Sequence, residues 1–286
     1  MKTSVSSYSF RQYIRAGKLT QLECVAKAKE MGFDGIEFTD LAAEGLEAQK
    51  ELAKQIRAEA ERVGIEIVAY TIGAKLYRET EEECEAEIER LKGQIEVANL
   101  LGAKVMRHDV CSSLTKTGNG RSFDLMLPTM AKNARKVAEY AETLGVKTCS
   151  ENHGRIAQDS ERIERLFNAV AHDNYGVLID LGNFLCVDEN PAYAVSRLAP
   201  YAVHVHAKDF TFSTEPGSGR GLVTRGANYL GGCVIGEGVV PIKKCLSILK
   251  FAGYDGYVSV EYEGTEDCMS GIARGLANLK SYIDAL

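Results

Sequence analysis

At 286 residues, with 45% hydrophobic and 26% charged side chains, the chain is long enough to bury a large core and has the make-up of an ordinary globular protein. A formal net charge of −6 and a pI near 5.6 argue against a nucleic-acid binder that relies on bulk charge. No run of about 18 apolar residues offers a membrane span, the first ten residues lack an apolar signal-peptide core, and eight scattered cysteines without a C-x-x-C pair predict reduced thiols in a cytoplasmic protein.

Short apolar runs alternate with amphipathic stretches along the whole chain. A first strand is predicted around residues 5–8 and a helix over 20–31, followed by a strand over 32–38 that ends near Glu37. An Ala-, Glu-, Lys- and Leu-rich helix over 44–63 stops at Gly64, and a strand follows over 65–70. The acidic stretch 79–101 reads as a helix with a solvated face, closed by Gly102, and 104–110 as the fourth strand. After a polar loop come a helix over 123–144, a strand over 146–152, a helix over 159–171 and a strand over 176–181. Pro191 fits the first turn of the next helix. The stretch 201–210 is the seventh strand, 241–252 a helix, 256–261 the eighth strand and 269–285 the last helix.

Residues 211–238 carry eight glycines and no helical period, and are expected to form a long loop or lid. Eight strands alternating strictly with eight helices imply a parallel sheet, and a single-domain (β/α)₈ TIM barrel over residues 1–286 is the expected fold. An open doubly wound sheet would show a Gly-rich turn after the first strand, and the residues from Ser9 to Tyr13 contain no glycine.

In such a barrel the carboxyl ends of the strands meet at one mouth. Those ends are Glu37, His108 or Asp109, Glu151, Asp180, His206 and Glu261. Carboxylates closing apolar strands are costly to bury unless paired or bound to a cation. Glu151, Asp180, His206 and Glu261, from four successive strands, therefore form a candidate site for one divalent ion. Three carboxylates and one imidazole suit Mn²⁺, the expected ion, with Mg²⁺, Co²⁺ or Zn²⁺ as alternatives.

Other residues stay open between roles. His204 shares the parity of His206 but lies one layer deeper, as a hydrogen-bonded core histidine. Either Met106 and His108 or Arg107 and Asp109 point inward. Lys208 holds a substrate oxyanion, pairs with a metal-binding acid, or forms an ordinary ion pair with Asp209. Glu37 touches a substrate hydroxyl or pairs with a neighbouring strand. His153 contacts substrate or is simply exposed. Arg220 and Arg225, in the long loop, can supply positive charge to a substrate.

The segments Ser150-Glu151-Asn152-His153-Gly154, Asp180-Leu181-Gly182-Asn183, His204-Val205-His206-Ala207-Lys208-Asp209 and Ser259-Val260-Glu261-Tyr262-Glu263 resemble the strand-end motifs of the xylose-isomerase-like barrels, a superfamily that includes D-tagatose 3-epimerase and inosose dehydratase. The resemblance spans essentially the whole chain. It implies that the four residues bind one metal ion and that Glu151 and Glu261 act as an acid/base pair through an ene-diolate; the candidates for substrate contact, from their places in the chain, are Glu37, His108, His153, Asn183, Lys208 and Arg220. The expected activity is isomerisation or epimerisation of a small sugar, keto-sugar or sugar derivative, with a keto-sugar dehydratase or 3-keto-glycoside lyase as the alternative. The resemblance also leaves room for a homo-oligomer. One departure stands out. The epimerase pattern has histidine where this chain has Asn183, and asparagine supplies neither a cation nor an acid.

Overall fold

A computed structural model describes residues 1–216 and 221–286, and in it the predicted strands close into a barrel. In chain order come β1 (Lys2–Ser6), α1 (Arg11–Arg15), α2 (Gln21–Glu30), β2 (Gly35–Thr39), α3 (Leu46–Val63), β3 (Glu66–Ile72), α4 (Glu81–Leu101), β4 (Val105–His108), α5 (Phe123–Thr143) and β5 (Lys147–Glu151). Then follow α6 (Ser160–Val170), β6 (Tyr175–Asp180), α7 (Pro191–Leu198), β7 (Ala202–Ala207), β8 (Asp209–Ser213), β9 (Leu222–Val223), β10 (Tyr229–Cys233), α8 (Ile242–Phe251), β11 (Tyr257–Val260) and α9 (Cys268–Asp284). The barrel runs β1-β11-β7-β6-β5-β4-β3-β2, every pair parallel.

Local chemistry sets the helix bounds. Thr20 with Glu23 and Thr80 with Glu83 form reciprocal capping boxes that start α2 and α4. Gly64 and Gly102 end α3 and α4 in the left-handed conformation that glycine adopts without strain. Along the barrel strands, Val177, Ile179, Val205, Val258 and Val260 are buried against the helices. Burying each such side chain stabilises the fold by about 1.5–3 kcal/mol. The alternate positions point into the barrel, where Ser4 and Ser259 hydrogen-bond across the β1–β11 seam at 2.6 Å.

Two expectations are corrected. The first strand lies at Lys2–Ser6 rather than 5–8, because Ser6 accepts the Tyr8 N–H and turns the chain into a short 3₁₀ segment. Among the described residues of the stretch 211–238, the chain is not wholly irregular: β8, β10 and β9 make a small antiparallel sheet that continues from β7. Its glycines mark close approaches as well as turns. A Cβ on Gly232 would lie 2.6 Å from the Glu263 carbonyl oxygen. Asp209 ties both ends of this flap together, accepting N–H bonds from Phe210, Gly236, Gly238 and Val240 at 2.8–3.0 Å. Among the described residues no helix is long and apolar enough to cross a membrane.

Candidate metal centre

Parallel register brings four strand ends to one point. Glu151 and Asp180 are the last residues of β5 and β6, His206 is next to last in β7, and Glu261 directly follows β11. Asp180 and His206 are paired in register, and the Glu261 N–H donates to the Ala207 carbonyl at 3.0 Å. One ligand atom from each residue lies within 4.8 Å of the others, and all four residues are buried. His206 Nδ1 is 3.8 Å from Glu151 Oε1, 3.9 Å from Asp180 Oδ2 and 3.7 Å from Glu261 Oε2.

The donor set fits a divalent ion. Asp180 Oδ2, His206 Nδ1 and Glu261 Oε2 are buried and make no aligned hydrogen bond; the two oxygens face the Lys208 ammonium at 3.1 and 2.5 Å, and their carboxylates still share that one lysine and His206. Their remaining atoms are well anchored. Asp180 Oδ1 accepts from the Gly182 and Asn183 amides at 2.8 and 3.0 Å, which leaves Oδ2 to face the centre. Burial, with Glu261 and Glu151 close by, raises the Asp180 carboxyl to about 7 against the pull of Lys208. That crowding of negative charge is what a divalent cation relieves.

A polar layer beneath the centre orients His206. Glu37, fully buried, lies 2.9 Å (Oε1) and 3.1 Å (Oε2) from His206 Nε2. Its Oε2 also lies 2.6 Å from His204 Nε2 and accepts the Ser259 hydroxyl at 3.0 Å. Burial disfavours a charged Glu37, but His206 and His204 more than offset it and hold the carboxyl far below its ordinary range. Burial likewise lowers His206, yet Glu37 and Glu261 raise it well above its usual value. With Nε2 committed to Glu37, Nδ1 is the nitrogen left facing the three carboxylates, as the carboxylate–histidine–metal arrangement would require.

Around the rim, Glu151 Oε2 accepts from Arg107 Nε at 2.5 Å and also contacts Arg107 Nη2, while Glu151 Oε1 accepts from Asn183 Nδ2 at 3.0 Å. Arg107 further donates to the Ile72 carbonyl at 3.1 Å and lies 3.6 Å from Asp109. Lys208 Nζ is 2.5 Å from Glu261 Oε2, 3.1 Å from Asp180 Oδ2 and 3.8 Å from Glu263 Oε1, and donates to Asn183 Oδ1 at 3.3 Å.

The predicted substrate residues separate into two groups. Asn183 and Lys208 border the cluster directly. His153 lies at the rim with its side chain 45% exposed, its Nδ1 3.0 Å from Asp109 Oδ1. Glu37 and His108 do not meet the expectation of substrate contact. Glu37 is consumed by the two histidines below the centre. His108 is fully buried on the helix side of the sheet, its ring centroid 6.1 Å from that of Tyr175, which stacks on Phe167 of α6. Of the two parities open for β4, Arg107 and Asp109 point inward. Of the alternatives open for Lys208, the structure shows pairing with Asp180 and Glu261; the pair with Asp209 does not form, since Asp209 serves the flap amides. His204 is the predicted core histidine. Arg225 binds Asp159 and the Arg155 carbonyl rather than the centre, and Arg220 lies outside the described residues. Glu263, which closes the Ser259–Glu263 motif, was given no role from the sequence, though its spacing of two from Glu261 was the available signal.

The chain matches the sequence model of the xylose isomerase-like TIM barrel over residues 25–282. It belongs to the xylose isomerase-like TIM barrel family. An inosose dehydratase from Lacticaseibacillus casei is 24% identical to the chain over 159 residues, which is 54% of this chain and 53% of that protein. The chain thus spans about half the length of that relative. Among solved structures, a D-tagatose 3-epimerase-like protein superposes with a TM-score of 0.73 at 22% identity, covering 100% of this chain and 98% of that one. The IolI protein, solved with a bound zinc atom, superposes with a TM-score of 0.75 at 19% identity, covering 100% and 99%. At these identities the structural likeness is one of fold.

Proposed function

We propose that the protein is a divalent-metal-dependent isomerase or epimerase of a small sugar, keto-sugar or sugar derivative, with Glu151 and Glu261 as its acid/base pair. The observation that carries this reading is the convergence of the buried Glu151, Asp180, His206 and Glu261 on one point, with one ligand atom from each within 4.8 Å of the others. An ion held there supplies positive charge against the negative charge that grows on a carbonyl oxygen when the neighbouring C–H loses its proton. Mn²⁺ is the expected ion, and the zinc atom bound by IolI supports a protein of this fold holding a divalent cation.

Glu151 and Glu261 extend from β5 and β11, three strands apart around the barrel, so they approach a bound molecule from different sides. One carboxylate removes the proton. The other returns one to the opposite face, giving an epimer, or to the adjacent carbon, giving an isomer. Arg107 fixes the orientation of Glu151 through its guanidinium, and Lys208 does the same for Glu261. Asn183, held between Glu151 and Lys208, transmits order from one to the other. His153, at the half-open rim, is placed to contact substrate hydroxyls.

A second reading, elimination of water from a keto-sugar, uses the same proton abstraction. It is favoured by the inosose dehydratase among the relatives. Incubation with a panel of keto-sugars and keto-polyols in D₂O separates the two. One deuterium gained in a product of otherwise unchanged mass supports the isomerase or epimerase. Loss of water supports the dehydratase. No exchange with any of them contradicts both.

A further inference from the structure

We infer that Lys208 is an internal counter-ion of the metal centre: its ammonium holds Asp180 and Glu261 together when no metal is bound, competes with the ion for their oxygens, and turns toward Glu263 when the ion enters. The inference rests on reading the four-residue cluster as a metal site and goes beyond it, to how the chain sets its own affinity.

Lys208 is the buried lysine among the described residues, 5% exposed. Its Nζ stands 2.5 Å from Glu261 Oε2 and 3.1 Å from Asp180 Oδ2. Those are two of the three unpartnered atoms of the centre, and neither contact has hydrogen-bond alignment. The ammonium neutralises them by proximity alone, which is how an ion would act on them. An ion bonds carboxylate oxygen at about 2.0–2.2 Å. With Nζ only 2.5 Å from the same Glu261 oxygen, ion and ammonium can be no more than about 4.7 Å apart. In a buried, water-poor site that is strong like-charge repulsion.

The second seat is already built. Glu263 Oε1 lies 3.8 Å from Nζ, outside the metal cluster and with its side chain 18% exposed. Asn183 Oδ1, at 3.3 Å, already holds Nζ in an aligned hydrogen bond. A shift of about an ångström toward Glu263 exchanges the Glu261 contact for a Glu263 pair. Lys208 then stands beside the ion rather than in its way.

The test is titration of chelator-stripped protein with Mn²⁺ by calorimetry, together with thermal melts of the metal-free forms, for wild type, Lys208→Met, Glu263→Gln and Asp180→Asn. Lys208→Met is expected to bind Mn²⁺ roughly tenfold more tightly than wild type, while its metal-free form melts at a lower temperature. Glu263→Gln, lacking the second seat, is expected to bind roughly threefold more weakly or worse. Should Lys208→Met not fold without metal, the Glu263→Gln comparison decides alone. Lys208→Met binding no tighter than wild type, or Glu263→Gln binding as tightly, overturns the inference and leaves the metal centre standing. No Mn²⁺ bound by wild type or Lys208→Met, or full binding by Asp180→Asn, removes the metal centre and the inference with it.

Discussion

Glu37 does its work one layer below the chemistry. A carboxylate with no exposed surface, close to two imidazoles and one hydroxyl, sets which nitrogen of His206 faces the centre. Glu37→Gln is expected to lower Mn²⁺ affinity about ten- to a hundredfold, measured by competition with a fluorescent chelator. Unchanged affinity would reduce Glu37 to a packing group. Glu151→Gln and Glu261→Gln are expected to keep the fold, seen by circular dichroism, and to lose about 10²–10⁴ in turnover once a substrate is in hand. If either kept full activity, the two-carboxylate reading would fail. The four cluster residues were legible in the sequence because acids and a histidine that close valine-rich strands must be paired or bind a cation once they are buried. Arg107 was not. Val105-Met106-Arg107-His108 offers a polar side chain on both faces, so parity alone could not say that Arg107 would reach Glu151 while His108 packed behind the sheet against Tyr175.

At the scale of elements, the flap after β7 is where glycine content misled. Eight glycines between 211 and 238 read as a loop, yet Gly231 and Gly232 lie within β10, where a side chain would collide with Thr211 and Glu263. Gly232→Ala is expected to destabilise the protein by about 1–3 kcal/mol, seen as a lower denaturation midpoint. An unchanged midpoint would show that the flap yields easily. The turn at 224–228 is anchored on Asp188, whose carboxylate accepts from Thr224 Oγ1 at 2.7 Å, Gly226 N at 2.5 Å and Asn228 Nδ2 at 2.8 Å. Partial burial raises the Asp188 carboxyl, but these bonds outweigh it and leave it below its ordinary value of 3.8. A depressed carboxyl contributes stability that is complete above that ordinary value and is lost as pH falls through the lower folded one. Amide exchange at Gly226 and Asn228 should therefore show protection declining below pH 3.8, and Asp188→Asn should remove that pH dependence. Protection insensitive to pH in wild type would contradict the anchor.

For the whole molecule, strict alternation of eight strands and eight helices, with no Gly-rich turn after the first strand to suggest an open doubly wound sheet, was enough to read the closed barrel that forms. What alternation could not convey is how the barrel interior is used. Ser4, Glu37, His204 and Ser259 form a hydrogen-bonded layer under the centre, and the side-chain contacts that define it join residues up to 255 positions apart. The centre joins four consecutive barrel strands, so an ion bound there adds its binding energy to the closed barrel. At Mn²⁺ concentrations a hundred times the dissociation constant that is about 2.7 kcal/mol, and the expected rise in Tm is about 4–5 °C, reversed by chelator. The decisive quantity is the number of ions per chain. Equilibrium dialysis of chelator-stripped protein against Mn²⁺, with the metal counted by elemental analysis, should give one ion per wild-type chain and none for Asp180→Asn combined with His206→Ala. No ion in wild type, or one retained by the double variant, would contradict a metal centre at Glu151, Asp180, His206 and Glu261.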